Sequence, residues 1–256
     1  MERKNRNTSK GSTKVLPKGN TFPIRLNKYI ANSGVCSRRD ADELIKAGQI
    51  KINGSVISEM GYQVQQDDKV SYGNKPIKPE KFVYVLLNKP KDFITTMEDT
   101  HDRKTVMDLV DKACQERIFP VGRLDRNTTG ILLFTNDGSL TEKLTHPSYQ
   151  IKKIYQVELD KPISKLDFEQ LQDPMQLEDG EVKIDDIAIL SSDKKTLGLE
   201  IHVGKNRIVR RIFEHLGYEV MKLDRTMYGP LTKKDLPRGK WRFLSPKDLI
   251  VLKNLS

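Results

Sequence analysis

Cysteine, aromatic residues and long apolar runs are all scarce in this chain of 256 residues. Two cysteines, Cys36 and Cys114, are too few for a disulfide framework or for a zinc site of the usual kind. Aromatic residues make up 7% of the chain, and no apolar run approaches the roughly 18 to 20 residues that a membrane span needs. The basic N-terminus has no apolar stretch behind it, so no secretory signal is expected. These absences predict a soluble, cytoplasmic protein with no membrane contact.

Positive charge, in contrast, is in surplus. The chain has 45 Lys+Arg against 35 Asp+Glu, a formal net charge of +10. Half of that surplus lies in residues 1–23, which hold six basic residues and one acidic residue and lack apolar periodicity. This segment is predicted to be a disordered basic tail. The surplus makes nucleic acid the first partner to consider, although many unrelated proteins are also basic.

Residues 24–72 have the pattern of a small unit with two helices and a hairpin. Apolar residues at helical spacing predict a first helix, and Ser37 with Asp40 three residues later forms a capping-box signature for a second. Asn53-Gly54 between alternating apolar residues predicts a tight hairpin. Residues 73–80, which contain glycine and two prolines, are predicted to be a linker.

Residues 81–256 are predicted to form a second domain. Strand signals lie at 82–87, 131–134, 155–159, 182–189 and 197–203, and helix signals at 140–144, 164–171 and 206–216. Because the strands come in groups with few helices between them, the fold class is α+β with a mixed, largely antiparallel sheet.

The segment between Pro120 and Gly130 places one carboxylate, Asp125, between Arg123 and Arg126, and these two arginines are expected to contact RNA. Positive neighbours favour the charged form of a carboxylate, so Asp125 is a candidate nucleophile or base. The alternative is a structural salt bridge within a loop, which is the commoner role of such pairs.

Two further groups of residues suit contact with RNA. After Lys205, Arg207, Arg210 and Arg211 share one face of a predicted helix, where they could hold phosphates or form an ordinary solvated face. Tyr155 lies on a predicted strand, where its ring could stack on a base or simply join the core.

In the small unit, a helix start carries residues that suit phosphate, the alternative being an ordinary exposed helix. These residues, with two lysines nearby in sequence, are Ser37, Arg38, Arg39, Lys28 and Lys51. The four histidines are scattered, and no Walker, dinucleotide-binding or paired-cysteine motif is present. No metal and no other cofactor is therefore expected.

These motifs together resemble one known family. Gly122-Arg123-Leu124-Asp125 and the Thr-Thr-Gly-Ile-Leu-Leu-Phe that follows are similar to the signature of bacterial ribosomal-RNA pseudouridine synthases. Residues 24–72 resemble the alpha-L RNA-binding domain of that family, and the segments around Tyr155 and from Gly204 to Arg211 resemble two further motifs.

The resemblance implies a role for four residues. Asp125 matches the essential aspartate, Arg123 the arginine that fills the stack left by the flipped uridine, Tyr155 the residue against the target base, and Arg210 the partner that holds the aspartate. The third motif departs from the family pattern at Ile208, where glutamine is usual, and at Ile212, where methionine is usual.

The implied activity is isomerisation of uridine to pseudouridine in ribosomal RNA, with 23S rRNA expected over 16S rRNA on overall likeness. The expected partner is ribosomal RNA or a ribosome-assembly intermediate, and the protein is expected to act as a monomer. One alternative is a non-catalytic RNA-binding or ribosome-assembly factor. Another is a glycosidase that pairs Asp125 with Asp137, which would need the two carboxylates on either side of one bond.

Overall fold

The computed structural model describes residues 22–255, so the predicted basic tail 1–23 lies outside the described residues except for its last two. The helices are α1 (Leu26–Asn32), α2 (Arg38–Lys46), α3 (Gly138–Thr145), α4 (Lys165–Gln170), α5 (Ile208–His215) and α6 (Pro246–Lys253). The strands are β1 (Ile24–Arg25), β2 (Ile50–Ile52), β3 (Ser55–Val56), β4 (Gln63–Val64), β5 (Val70–Tyr72), β6 (Lys75–Pro76), β7 (Tyr84–Lys89), β8 (Phe119–Pro120), β9 (Thr128–Thr135), β10 (Lys153–Leu159), β11 (Met175–Leu177), β12 (Gly180–Val182), β13 (Asp186–Ile189), β14 (Thr196–Ile201), β15 (Val220–Tyr228), β16 (Leu231–Thr232) and β17 (Trp241–Phe243).

The small N-terminal domain packs α1 and α2 against a sheet of order β3-β2-β5-β6. Ser37 caps α2 and forms the predicted capping box with Asp40. Asn53 and Gly54 have φ of 53° and 91°, as a tight hairpin turn requires, which confirms the turn between β2 and β3. The sheet extends past the predicted boundary, because Lys75–Pro76, inside the segment predicted to be a linker, pairs with β5.

The large domain is built on one sheet of order β13-β14-β10-β15-β9-β7-β17. Within this sheet β9 and β15 run parallel and the other named pairs are antiparallel. The predicted α+β class is therefore confirmed. The sheet is covered by helices and loops, and α5 packs its apolar side, Ile208, Val209, Ile212 and Phe213, into the core.

The prediction of one strand over 182–189 is wrong. Val182 ends the short β11–β12 hairpin, whereas β13 begins at Asp186 and pairs with β14 in the large sheet. Val182 and Ile184 are both buried, so the chain passes between two sheets while keeping apolar contact with a single core. A loosely alternating apolar pattern could not show that change of partner.

Strand β15 was not predicted, although it lies near the centre of the sheet between β10 and β9. Its sequence carries the charged residues Lys222, Asp224 and Arg225, which weaken the strand signal. At Gly130 this strand approaches β9 so closely that an added Cβ would lie 2.2 Å from the carbonyl oxygen of Arg225, and φ there is +110°. Only glycine fits that position. None of the helices among residues 22–255 is long and apolar enough to cross a membrane.

Candidate active site

A cavity of about 280 Å³ opens where the loop before β9, the strands β10 and β15 and the start of α5 meet. Five of the residues singled out in the sequence line this cavity: Arg123, Asp125, Tyr155, Lys205 and Arg207. They come from segments that are far apart along the chain, and the sheet order brings them together.

The loop that carries Asp125 is held from behind by a buried lysine. Lys89, at the end of β7, is fully buried. Its Nζ donates to the backbone carbonyls of Asp125 at 3.0 Å, Arg126 at 3.3 Å and Thr128 at 2.9 Å. Burial lowers the pKa of Lys89 to about 8, and the charges of Asp125 and Asp92 oppose that shift. The loop backbone is thus organised by one cation, whose charge also lies beneath Asp125.

The segment after Lys89 ties the same loop at two more points. The hydroxyl of Thr95 donates to the carbonyl of Leu124 at 2.7 Å and accepts from its backbone N–H at 3.2 Å. Arg126 pairs with Asp92 at 3.2 Å, and the N–H of Asp92 donates to the carbonyl of Arg126 at 3.0 Å. Arg126 therefore supports the loop from outside the cavity, and its contact with RNA stays a prediction.

The cation nearest to the carboxylate of Asp125 differs from the one that the resemblance implied. Arg207 Nη1 lies 3.8 Å from Asp125 Oδ2, and both side chains are partly exposed. Arg210 instead donates from Nη1 to the carbonyl of Val220 at 2.7 Å, and it makes no ion pair with Asp125. The reason is the start of α5: Arg207 is its N-cap residue in a left-handed conformation and faces the loop, while Arg210, one turn later, reaches β15.

The charge of Asp125 still acts on Arg210 from a distance. Burial lowers the pKa of the Arg210 guanidinium, the charge of Arg207 lowers it further, and Asp125 opposes both effects. Its Nε is buried without a hydrogen-bond partner among the described residues. Arg210 is thus a supporting cation behind the cavity wall.

The cavity floor is formed by paired residues of β10 and β15. Tyr155 lies opposite Arg225, and Lys153 lies opposite Tyr228. Arg225 is buried, donates from Nε to the carbonyl of Ile131 at 2.9 Å and stacks 4.6 Å above the ring of Tyr228. Lys153 donates to the carbonyl of His202 at 2.6 Å. Burial, reinforced by Arg225, lowers the pKa of Lys153 to about 8.

Two basic residues around α5 lie against the carboxylate of Asp179, a residue that the sequence did not single out. Arg211 makes a bidentate contact with Asp179 at 2.7 and 2.9 Å, and Lys205 Nζ lies 3.6 Å from the same carboxylate. These hydrogen bonds lower the pKa of Asp179 to about 2. Arg207 is shared between Asp125 and Glu214. Arg123, at the cavity mouth, has no ion pair among the described residues.

One predicted RNA-binding residue of the small domain, Lys28, contacts the large domain, which is predicted to be the catalytic one. Lys28 Nζ donates to the hydroxyl of Ser139 at 3.0 Å, so this lysine bridges the two domains. The hydroxyl of Ser37 is used by its own capping box. Arg39 is exposed and Lys51 half-buried, each away from the cavity.

Asp137 does not pair with Asp125 in the way a glycosidase would need. One of its carboxylate oxygens caps α3 by accepting from the N–H groups of Ser139 and Leu140, and the other accepts from Tyr84 at 2.8 Å. It is buried and does not line the cavity. The structure thus gives Asp137 a capping role.

Sequence reasoning missed four residues at this site: Lys89, Thr95, Lys153 and Arg225. A lysine at the end of a continuous apolar strand and directly before proline was the available signal for Lys89. Thr95 and Arg225 carried no comparable signal, because their roles depend on long-range contacts.

Comparisons with known proteins agree with the geometry. The RNA pseudouridylate synthase family model matches residues 83–215, and the S4 domain model matches residues 24–70. Ribosomal large subunit pseudouridine synthase B of Bacillus subtilis (strain 168) is 41% identical over 236 residues, which cover 91% of this chain and 96% of the relative. The dual-specificity RNA pseudouridine synthase RluF of Escherichia coli (strain K12) is 35% identical, covering 90% of this chain and 78% of the relative.

A solved structure supports the same fold. A crystal structure of a pseudouridylate synthase has a TM-score of 0.63 and 26% identity, covering 90% of this chain and 99% of that one. The chain belongs to the RNA pseudouridine synthase family, which confirms the resemblance seen in the sequence.

Proposed function

We propose that this protein converts one uridine of 23S rRNA into pseudouridine, with Asp125 as the catalytic carboxylate. The observation that carries the proposal is the convergence of Asp125, Tyr155 and Arg123 on one open cavity in a chain of this family. The choice of 23S rRNA is supported by the large-subunit relative at 41% identity, which exceeds the dual-specificity relative at 35%.

The reaction breaks the bond between ribose C1′ and uracil N1, rotates the uracil, joins C5 to C1′ and moves the C5 proton to N1. No net electron or group transfer occurs. The target uridine has to leave its stack, at a cost of about a few kcal/mol that contacts to the protein must offset. Arg123 fills the vacated space, and Tyr155 stacks on the flipped uracil and assists loss of the C5 proton.

Asp125 acts on the sugar or the base from the cavity wall, and Arg207 rather than Arg210 is the cation in direct reach of its carboxylate. Lys89 keeps the loop backbone in place while the base enters. The protein works as a monomer in the cytoplasm, on 23S rRNA or on a ribosome-assembly intermediate.

Tritium release from RNA labelled at uridine C5 tests the catalytic role. Asp125→Asn should abolish release while RNA binding stays nearly intact, because the substitution preserves shape and removes only the charge. Substantial residual release would exclude Asp125 as the catalytic group. Loss of release together with loss of binding would instead favour a role in RNA contact.

The same assay tests the substrate. Transcripts of 23S and 16S rRNA are offered separately to the wild-type protein. Release from the 23S transcript alone is the expected result. Release from 16S rRNA alone would overturn the choice of subunit, and no release from either would favour a non-catalytic binding factor.

A further inference from the structure

A second cavity, of about 510 Å³, lies between the small domain and the catalytic domain. The small domain contributes Ser37 and Arg38 at the start of α2, and the catalytic domain contributes Arg117, Phe119 and the outer side of α3. We call this cavity the interdomain cleft. Lys28 bridges the same two domains through Ser139, so the cleft lies between surfaces that are already in contact.

Two arginines, one from each domain, converge on the cleft without a partner. Among residues 22–255 neither Arg38 nor Arg117 makes a hydrogen bond or an ion pair. Arg38 Nη2 lies 2.8 Å from the position that a Cβ on Gly138 would occupy, so this guanidinium reaches across to the start of α3. Arg117 acts electrostatically on Cys36 and Asp40 of the small domain. Guanidinium groups with free donors are suited to phosphate oxygens.

Carboxylates near the cleft offset this pair only in part. Asp40 stays ionised, because hydrogen bonds from Ser37 and the charge of Arg117 lower its pKa, but it does not line the cleft. Glu142 lines the cleft, is exposed and makes no ion pair with either arginine. The side chains that line the cleft therefore carry two positive charges against one negative charge, a balance that an anionic ligand can use.

The interdomain cleft adjoins the active-site cavity. Thr145, the last residue of α3, lines both cavities. A Cβ added to Gly122, in the loop that carries Asp125, would lie 3.9 Å from Thr145 Cγ2. An RNA chain that places one nucleotide in the active-site cavity therefore places a neighbouring nucleotide near the cleft. Half-buried Phe119 and Met97 add an apolar surface on which a base can stack.

We infer that the interdomain cleft holds a nucleotide flanking the target uridine, with its phosphate on Arg38 and Arg117 and its base against Phe119. This inference rests on the proposed function, because the ligand is the RNA substrate itself. It assigns a binding role to Arg117 and Phe119, which no motif in the sequence suggested. It also explains why Arg38, unlike the cations beside α5, has no carboxylate partner.

The test is RNA binding by the full chain at a series of salt concentrations, with a 23S rRNA transcript that the wild-type protein modifies. Arg38→Ala and Arg117→Ala together should lower the slope of log affinity against log salt by about one, since they remove one phosphate contact, and each alone should lower it by part of that amount. The double variant should bind on the order of tenfold more weakly, raise KM and leave kcat at saturating RNA unchanged. Arg38→Lys and Arg117→Lys should keep the slope, because they keep the charge.

Two controls separate this contact from a loss of structure and from a general charge effect. Lys112→Ala removes an exposed cation five residues from Arg117 and outside the cleft, and it should change the slope less than either arginine. Glu142→Gln removes the exposed carboxylate and should raise affinity. Thermal unfolding of every variant should match that of the wild type.

An unchanged salt slope in the double variant would overturn the inference, as would a drop in Lys112→Ala as large as that in Arg117→Ala. A lower kcat with an unchanged KM in the double variant would also overturn it, since that result would mean that the two arginines position the loop of Asp125 and do not bind RNA. The salt dependence of binding does not require the isomerisation reaction. If the wild type forms pseudouridine but the double variant keeps the wild-type salt slope, the inference about the cleft is wrong and the proposed function stands. If the wild type binds RNA without forming pseudouridine, the proposed function is wrong.

Discussion

The two adjoining cavities of this protein use their basic residues in opposite ways. Around the active-site cavity most of the cations are occupied, Lys89 by loop carbonyls, Lys205 by backbone carbonyls and Arg211 by Asp179, and Arg123 is the exception. In the interdomain cleft Arg38 and Arg117 have no partner among the described residues. An occupied cation shapes the protein, whereas an unoccupied one is available to the substrate. Substitutions near the first cavity should therefore change turnover and stability, and those in the cleft should change affinity and its salt dependence.

The largest change in stability and turnover is expected from Lys89→Met, which removes an occupied cation beside the active-site cavity. The variant leaves the carbonyls of Asp125, Arg126 and Thr128 without their buried donor, and each unsatisfied buried group costs about 1–3 kcal/mol. Because the variant also removes a buried charge, which is itself unfavourable, the free energy of unfolding should fall by about 1–3 kcal/mol in total. Turnover should fall at least about tenfold, because the loop loses its position. Thermal unfolding and tritium release measure the two effects.

Lys91→Met is the matched control for this substitution. Lys91 is exposed and makes no hydrogen bond among the described residues, so its removal should leave both measurements close to wild type. Full turnover in Lys89→Met would contradict the anchoring role.

An intermediate effect is expected from pH. Burial lowers the pKa of both Lys89 and Lys153 from their usual value to about 8. Between pH 8 and about 10.4, the usual lysine value, the unfolded chain binds more protons than the folded one, so these groups make stability rise with pH. Turnover should move the other way, because neutral Lys89 has one N–H donor fewer for the loop carbonyls.

Thermal unfolding and tritium release between pH 7 and 10 check this pair of trends. Relative to Lys89→Met, the wild type should gain stability across that range, while wild-type turnover should decline with a midpoint near pH 8. Turnover that stays constant up to pH 9.5 would show that the charge of Lys89 is not needed.

The smallest effect is expected from Asp179→Asn. This substitution removes the carboxylate that pairs with Arg211 and so makes that arginine available, while Lys205 stays hydrogen-bonded to the backbone carbonyls of Asp179 at 2.7 Å and Glu181 at 3.4 Å. RNA affinity should rise slightly and its salt slope should steepen, because the freed arginine can reach a phosphate. Asp173→Asn, at an exposed position in the same region that makes no ion pair, should leave both unchanged. Weaker binding in Asp179→Asn would mean that the pairing positions the cations for RNA.

Much of the fold could be predicted from local sequence signals. The cap at Ser37 and the turn at Asn53-Gly54 depend on a few neighbouring residues, the α+β class depends on the order of strand and helix signals along the chain, and each was confirmed. The strand over 182–189 was wrong and β15 was missed for the same reason. Strand partners are chosen by contacts across the whole domain, and polar residues such as Asp224 and Arg225 become acceptable in a central strand only when those contacts satisfy them.

The candidate site divides in a similar way. Asp125 and Tyr155 were found because a motif marks them, and both line the cavity. The sequence shows that Arg126, Lys205 and Arg211 are basic. Their carboxylate partners are far away along the chain: Asp92 precedes Arg126 by 34 residues, and Asp179 precedes Lys205 by 26 and Arg211 by 32. Charge in a sequence therefore shows which residues are cations and leaves open which are available to RNA.

The central claim is that this chain forms pseudouridine in 23S rRNA through Asp125, and mapping pseudouridines in rRNA from complemented cells tests it most directly. Cells that lack the gene receive either the wild-type protein or Asp125→Asn, expressed at equal levels. We expect that one 23S position loses its pseudouridine without the gene, regains it with the wild type and stays unmodified with Asp125→Asn. Restoration of that position by Asp125→Asn would show that Asp125 is not the catalytic carboxylate, and loss at a 16S position instead would show that 23S rRNA is not the substrate.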